Sequence, residues 1–222
     1  MTHWEILDDQ RILLLRSLQE DLPLPKGFYM AGGTALSLQL GLRKSNDFDF
    51  FTKEPCDFLS LSEAIQNAYR EKAKVDYLDS STWNGTIDGV KVSFFQYKRP
   101  LLESFVMSSP SPIIPMASLI DIACMKIIAI AQRGAKKDFY DLFWIIQELS
   151  LSPEAILNAL DRKFGKGKWP CAAIIHSLIF FEDAEPEPLP FCFKEASWEA
   201  IKDFFHQFDQ RLIEAANRLQ YP

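Results

Sequence analysis

The hydrophobic pattern of the chain changes near its middle, and this change constrains the fold more than any other feature. Residues 108–115 hold three prolines in eight positions, which is typical of a linker. Before this segment, alternating runs typical of strands are mixed with helical patterns, and beyond it only helical spacing continues. The sequence therefore predicts an α+β fold, with a mixed sheet flanked by helices in residues 1–107 and an all-helical domain in residues 108–222.

The individual elements follow from spacing and from residues that break regular structure. Pro23 and Pro25 are predicted to end the first helix, and Asp88-Gly89 predicts a tight β-hairpin turn. The predicted helices cover residues 4–21, 35–42, 58–72, 116–132, 138–149, 153–164, 171–181 and 195–219. The predicted strands cover residues 27–31, 46–52, 73–78, 81–87 and 90–97.

Composition indicates a globular protein that stays in the cytoplasm. Of 222 residues, 48% are hydrophobic and 24% are charged, which excludes disorder of the whole chain. No apolar run approaches the roughly 20 residues that span a bilayer, and the first residues do not resemble a signal peptide. The four scattered cysteines are expected to be reduced thiols.

The net charge of −6 counts against a general nucleic-acid binder, which would carry the opposite sign. The charge is uneven, however, because residues 126–168 contain eight basic and five acidic side chains. A polyanion could therefore dock on one face of the molecule.

The first candidate for chemistry is Gly32-Gly33-Thr34, placed where a strand is predicted to turn into a helix. Glycines let the backbone approach a ligand closely. The N–H groups at the start of the helix favour a phosphate, and Thr34 adds a hydroxyl donor. The sequence thus predicts a phosphate-binding turn, although a Gly-Gly pair alone is more often only a turn.

The second candidate is Asp47 with Asp49, which begins 14 positions after Gly33. Residues at i and i+2 of a strand project from one face, roughly 7 Å apart at the backbone. Two such carboxylates can hold a divalent cation, and hard oxygen ligands select Mg²⁺ or Mn²⁺. A phosphate site beside a metal site is what nucleotidyl transfer requires, whereas either motif alone is more often structural.

These motifs resemble the nucleotidyltransferase motif of the DNA polymerase β superfamily, and in particular the AbiEii/AbiGii toxin family. The similar stretch runs from Gly32 through Leu40-Gly-Leu-Arg-Lys-Ser to Asp47-Phe-Asp-Phe-Phe. A helix containing Lys126 and the segment Arg133-Gly-Ala-Lys-Lys-Asp138-Phe-Tyr-Asp141 are similar to two later motifs of that family. The three blocks occur in the family's order between residues 30 and 145.

The resemblance implies a metal-dependent nucleotidyltransferase that passes NMP from an NTP to an acceptor hydroxyl. It implies the toxin of a toxin–antitoxin or phage-exclusion system, with a cognate antitoxin protein and with RNA such as tRNA as the acceptor. The implied catalytic residues are Asp47, Asp49, Lys126 and Asp138, with Asp47 and Asp49 as metal ligands. The implied nucleotide-binding residues are Gly32, Gly33, Thr34, Arg43, Ser45, Lys137 and Asp141.

The later blocks also have plain structural interpretations. Lys126 lies in an apolar helix, where an unpaired ammonium is costly, so it either extends to the surface or faces a site. Asp138 and Asp141 share a helix face at i and i+3, and Asp138 also fits as an N-terminal cap or a first-turn acid.

One departure from the superfamily pattern concerns the third carboxylate, which such enzymes usually carry on a later strand. The natural position here is Ser93, while Asp76 and Asp88 are alternatives in a strand and at a turn. A catalytically inactive binding or regulatory protein of this fold is therefore the second hypothesis. A third keeps the enzyme but changes the acceptor to a small molecule or a protein side chain.

A basic run at residues 162–169 permits two interpretations. It is either a solvated helix end capped by Gly165 or a cationic loop for RNA, with Phe164 or Trp169 stacking on bases. The sequence contains no GxGxxG, GxxxxGK[ST] or GxSxG motif, so dinucleotide cofactors, P-loop sites and serine hydrolases are unsupported.

Overall fold

The structure, a computed structural model, describes residues 2–20 and 27–221. The prediction that Pro23 and Pro25 end the first helix lies outside these residues. The helices are α1 (Asp9–Glu20), α2 (Gly32–Leu40), α3 (Phe58–Tyr69), α4 (Leu119–Arg133), α5 (Lys136–Leu149), α6 (Pro153–Phe164), α7 (Cys171–Ser177) and α8 (Trp198–Arg218). The strands are β1 (Tyr29–Ala31), β2 (Phe48–Thr52), β3 (Ala73–Leu78), β4 (Thr82–Ile87), β5 (Val90–Gln96), β6 (Val106–Met107) and β7 (Pro115–Met116).

The chain divides into two compact units. The first comprises Met1–Pro100 and Ser104–Ala117, and the second comprises Leu101–Glu103 and Ser118–Pro222. The first unit contains all the strands named above, and the second contains α4 to α8. This mixed architecture confirms the predicted α+β class. The proline-rich segment predicted as a linker connects β6 to β7. The boundary between a nucleotidyltransferase domain of residues 1–107 and a helical domain of residues 108–222 stays a prediction.

Within the described residues, the sheet has seven strands in the order β3-β4-β5-β2-β1-β7-β6. β2 pairs in parallel with β5 and antiparallel with β1. Register places Phe50 beside Phe94 and Phe94 beside Trp83, and these buried rings stack or meet edge-on at 5.2 and 5.8 Å. Because side chains alternate along a strand, this apolar row leaves the neighbouring positions of β2 and β5 on the opposite face.

The second unit is built around Phe139 of α5. Its ring lies 5.1 Å from Phe181, 5.8 Å from Trp198 and 5.5 Å from Phe205. All four side chains are largely or fully buried, so aromatic contacts form the centre of this helical core. In the described part of the chain, no helix is long and apolar enough to cross a membrane.

A buried carboxylate, Asp121 of α4, organises the second unit near residues 101–103. It lies 2.6 Å from the Lys163 ammonium and accepts hydrogen bonds from the Ser118 hydroxyl at 2.8 Å and the Leu102 amide at 3.0 Å. The Glu103 amide donates to it at 3.3 Å. Four donors compensate for removing the charge from water, so Asp121 holds this short segment against the helices.

The same contacts correct the interpretation of residues 162–169 at two positions, Lys163 and Trp169, whereas Arg162, Lys166 and Lys168 are exposed. Lys163 is buried because it pairs with Asp121. Trp169 is 8% exposed, and its indole N–H donates to Asp161 at 2.9 Å, so its ring is not available to a base. Gly165 does cap α6, as predicted.

Candidate functional site

The glycine motif and Asp49 meet where α2 begins. α2 follows β1 directly, and Ala31 at the end of β1 is paired with Asp49 of β2. Gly32 has φ +72°, and a Cβ atom there would lie 2.7 Å from Oδ2 of Asp49. Only glycine suits both the left-handed backbone and this close approach, so the residue opens a space that the Asp49 carboxylate faces.

Gly33 allows a second close approach, this time by Arg43. A Cβ on Gly33 would overlap the Arg43 guanidinium and would lie 3.5 Å from the Ser45 hydroxyl. Arg43 is only 5% exposed and donates to the Lys44 carbonyl oxygen at 3.1 Å. The guanidinium is thus held beside the first turn of α2, next to the predicted phosphate position.

Thr34 and Ser45 fasten the loop that leads into β2. The Thr34 hydroxyl lies 2.7 Å from that of Ser45 and 2.5 Å from the Asp47 carbonyl oxygen. Both side chains are buried. Since these contacts use the hydroxyl groups, their observed role is to position Asp47, and direct contact with phosphate stays a prediction.

The two aspartates differ in placement. Asp49 lies in β2 and is half-buried, whereas Asp47 precedes the strand and is exposed. The prediction of a strand from residue 46 was therefore wrong by two residues, because Thr34 binds the Asp47 backbone and the ladder starts at Phe48. Phe48 and Phe50 are buried as expected.

Register places a polar row beside Asp49 on the sheet. Ser93 of β5 is its direct partner, and Asn84 of β4 is the partner of Ser93. Oδ1 of Asn84 is buried and has no hydrogen-bond partner among the described residues. The alternatives Asp76 and Asp88 occupy a bulge in β3 and the β4–β5 turn, so Ser93 stands at the position next to Asp49.

The donor set fits a magnesium-type cation. Asp47 and Asp49 offer hard carboxylate oxygens, and the missing Cβ of Gly32 leaves space beside Asp49. The described residues contain no cluster of three or more His, Cys, Asp and Glu side chains that could hold a metal. Mg²⁺ is commonly bound by one or two carboxylates with substrate phosphates and water, which is what this site can offer.

The second unit brings together Lys126, Asp138 and Asp141. The Lys126 ammonium lies 2.7 Å from Asp138 and 2.6 Å from Asp141, and both carboxylates are fully buried. The surface-extending interpretation of Lys126 was therefore wrong, because two buried acids hold its ammonium inside. Its predicted contact with nucleotide phosphates stays a prediction.

Asp138 lies in the first turn of α5 but does not act as its N-cap, which is Ala135. The Arg133 guanidinium donates to both of its oxygens, at 2.8 and 3.1 Å. Burial disfavours the charged carboxylate, but Lys126 and Arg133 outweigh it and lower the pKa of Asp138 to about 2. Arg133 is a site residue that the sequence reasoning missed, although it directly precedes the glycine that ends α4.

Lys137 is exposed on α5, which leaves it accessible to a ligand. The neighbouring Lys136 is buried, donates to the Glu185 carbonyl oxygen at 3.1 Å and lies 5.0 Å from the Trp198 ring centre. The predicted residues thus form two clusters. The first cluster, in the first unit, contains the Gly32–Thr34 turn, Arg43, Ser45, Asp47 and Asp49. The second cluster, in the second unit, contains Lys126, Asp138 and Asp141, and Lys137 lies on the surface of that unit.

Comparisons with known proteins agree with these motifs. A family model described as nucleotidyl transferase AbiEii toxin, type IV toxin–antitoxin system, matches residues 14–218. An uncharacterized protein of Aquifex aeolicus (strain VF5) is 38% identical over 189 residues, covering 84% of this chain and 88% of the relative. The structure is similar to MenT4, a nucleotidyltransferase toxin from Mycobacterium tuberculosis H37Rv, with a TM-score of 0.58 and 14% identity, covering 92% of this chain and 82% of that one. The family resemblance is confirmed.

Proposed function

The chain belongs to the AbiEii nucleotidyltransferase toxin family, and on that premise we propose that it transfers NMP from an NTP to an acceptor hydroxyl in a reaction that needs Mg²⁺ or Mn²⁺. The observation that carries the proposal is the approach of the Asp49 carboxylate to Gly32 at the start of α2. A carboxylate for a cation and a helix start for phosphate thereby lie side by side.

Asp47 and Asp49 would hold the cation, which when bound neutralises phosphate charge and activates the attacking hydroxyl. The backbone N–H groups of Gly33 and Thr34 would bind phosphate oxygens, since the first N–H groups of a helix lack partners within it. The guanidinium of Arg43, fixed beside Gly33, would add positive charge on the same side. Ser45 would keep Asp47 in place through Thr34.

For the second cluster, we propose that Asp138 and Lys126 act near the nucleotide or the attacking hydroxyl. Lys137 and Asp141 would contribute to nucleotide binding. The pairing of Asp138 with Arg133 and Lys126 keeps it ionised, so any function that it has is that of a carboxylate.

The acceptor that we favour is RNA, with tRNA as one example. Family membership supports a toxin, and exposed basic side chains on the second unit would bind the RNA backbone; these are Arg133, Lys137, Lys166 and Lys168. A toxin of this kind implies a cognate antitoxin protein. We propose a cytoplasmic location, because NTP and RNA are both present there.

A second candidate function, a catalytically inactive binding protein, is favoured by Ser93, which pairs with Asp49 where a third carboxylate is expected. Metal binding separates the two. Saturable binding of NTP that depends on Mg²⁺ supports the enzyme, and no binding up to about 1 mM supports the binding protein.

The deciding experiment incubates the protein with each labelled NTP and total cellular RNA and asks which macromolecule becomes labelled. Asp47→Asn and Asp49→Asn are each expected to lower transfer about 10²–10³-fold, because a metal site contributes several kcal/mol to the barrier. Asp9→Asn, which removes an exposed acid on α1, is the matched control. Transfer retained in Asp49→Asn would falsify the assignment.

A further inference from the structure

A cavity between α7 and α8 in the second unit has no part in the proposed transfer. Its volume is about 400 Å³, within the range of small-molecule sites. Its lining includes Asp209, His176, Ile175, Ile213, Ala216 and Tyr221. Both helices belong to the second unit, so the cavity is defined by that unit alone.

Its most unusual component is a buried carboxylate, Asp209 of α8. The residue is 5% exposed, and its Oδ1 has no hydrogen-bond partner in the described part of the chain. Burial raises the pKa of Asp209, while the nearby His176 and His206 act in the opposite direction. Burying a carboxylate oxygen without a hydrogen-bond partner is costly, so a cation at the Asp209 carboxylate in the cavity would compensate for that cost.

The walls beside Asp209 are apolar. Ile213 and Ala216 follow it at i+4 and i+7, on the same face of α8. Ile175 of α7 is 6% exposed and Ala216 is 7% exposed, whereas Ile213 is 46% exposed at the rim. A ligand with one charged end and a hydrocarbon body would match this arrangement.

An aromatic ring and an imidazole complete the lining. The Tyr221 hydroxyl donates to Asp161 at 2.5 Å, and its ring lies 5.6 Å from that of Trp169, so the ring is held in position. Aromatic faces attract organic cations. The exposed imidazole of His176, when neutral, can accept a hydrogen bond from an ammonium group.

We propose that this cavity binds an organic ammonium ion, with the nitrogen at the Asp209 carboxylate and the hydrocarbon chain against Ile175 and Ile213. The same chemistry occurs in free amines and in the lysine side chain of a partner protein. The proposal does not depend on nucleotidyl transfer, because none of these residues belongs to either cluster of the candidate active site.

Calorimetric titration of the full chain with cyclohexylammonium at about pH 8, where an amine of this kind is still charged, tests the site. Saturable binding is expected, with cyclohexanol, the neutral analogue of similar shape, binding at least about tenfold more weakly, as expected when a charge-assisted hydrogen bond is lost. Equal binding of both compounds, or none by the ammonium up to about 10 mM, would overturn the proposal.

Two variants with the same change in charge separate the site from general electrostatics. Asp209→Asn is expected to weaken cyclohexylammonium binding at least about tenfold. Glu214→Gln, which neutralises an exposed acid of α8, is expected to leave it within about twofold. Similar losses in both variants would mean that only the net charge of the helix matters and would reject the site.

A tethered cation gives an independent measurement should Asp209→Asn fail to fold. Ile213→Lys places an ammonium one helical turn from Asp209, so it is expected to raise the melting temperature and to abolish probe binding. Ile213→Gln is the control of similar size, and an equal melting temperature in the two variants contradicts the proposal.

Spermidine and Nα-acetyl-lysine-N-methylamide then distinguish the two sources of the ammonium group. Tighter binding of spermidine assigns the cavity to free amines, and tighter binding of the lysine derivative assigns it to a partner's side chain. Failure of both to compete with cyclohexylammonium would exclude either source and overturn the assignment.

Discussion

The two aspartate pairs of this protein have opposite environments. Asp47 is exposed and Asp49 is half-buried beside a glycine turn, whereas Asp138 and Asp141 are fully buried and hold the Lys126 ammonium between them. We propose that the first pair binds a metal ion with its substrate. The second pair binds a cation that belongs to the protein itself, the Lys126 ammonium.

The difference comes from the elements that carry the two pairs. β2 presents Asp49 on the sheet face opposite its buried phenylalanines, so the carboxylate keeps access to solvent and ligand. α5 is buried along the face that carries Asp138 and Asp141, and its acids are tolerated only because a lysine and an arginine compensate for them. Acidic spacing by itself therefore does not separate a metal site from an internal ion cluster.

The largest effect on stability is expected from removing the buried Lys126 ammonium. Lys126→Met leaves Asp141 without its ammonium and weakens the compensation of Asp138, and breaking a buried pair in this way costs about 3–5 kcal/mol. Urea unfolding of the variant measures the loss. Lys137→Met, an exposed neighbour on α5, should change the unfolding free energy by less than about 0.5 kcal/mol.

Adding Asp138→Asn and Asp141→Asn to Lys126→Met should recover part of the lost stability, because no uncompensated charge then remains inside. If Lys126→Met and Lys137→Met proved equally stable, the internal cluster would not be the compensated ion group described above, and the contrast with Asp47 and Asp49 would disappear.

An intermediate effect on stability is expected when the pH is lowered. The folded-state pKa of Asp138 is about 2, below the value of about 3.9 for an unfolded chain. Its stabilisation, about 2 kcal/mol, is therefore complete above the unfolded-state pKa and is lost as the pH falls from about 4 toward 2. Carbon-13 NMR of the carboxyl groups checks this directly, with Asp138→Asn assigning the signal; a midpoint above pH 4 would contradict it.

The smallest effect on stability, and a gain in binding, is expected beside Asp47 and Asp49. Ser93→Asp adds a carboxylate directly beside Asp49 and should raise Mn²⁺ affinity about tenfold while lowering stability by less than about 1 kcal/mol. Paramagnetic resonance titration with Mn²⁺ measures the affinity. Thr86→Asp, at a half-buried position of β4, is the control, and an equal gain there would show that position relative to Asp49 is unimportant.

Much of the fold could be predicted because its signals are local. The Asp88-Gly89 turn between β4 and β5 and the alternation around Phe48 and Phe50 depend on neighbouring residues, and the structure agrees with both. The two-residue strands β6 and β7, at the two ends of the proline-rich segment, were not predicted. β7 pairs with β1, which is distant in sequence, and β6 joins the sheet only through β7.

The roles of the candidate site residues stay predictions, and their arrangement could not be predicted at all. Motif order identified Gly32 and Asp49, and their contact is a tertiary fact that no spacing reveals. Asn84, Arg133 and the burial of Lys163 were missed for the same reason, since each is defined by strand register or by an ion partner. Charged residues are mostly exposed. A lysine is therefore expected on the surface unless a buried carboxylate partner is known, and the sequence does not reveal that partner.

The attachment of residues 101–103 to Asp121 has a practical consequence for anyone dissecting this protein. The polypeptide passes from the first unit to the second, returns, and passes over again, so no single peptide bond separates the two. A fragment ending after Pro100 would lack β6 and β7, and one beginning at Ser118 would leave the Asp121 carboxylate without the amides of Leu102 and Glu103. Experiments that cut the chain or exchange domains should therefore keep the two units together in one polypeptide.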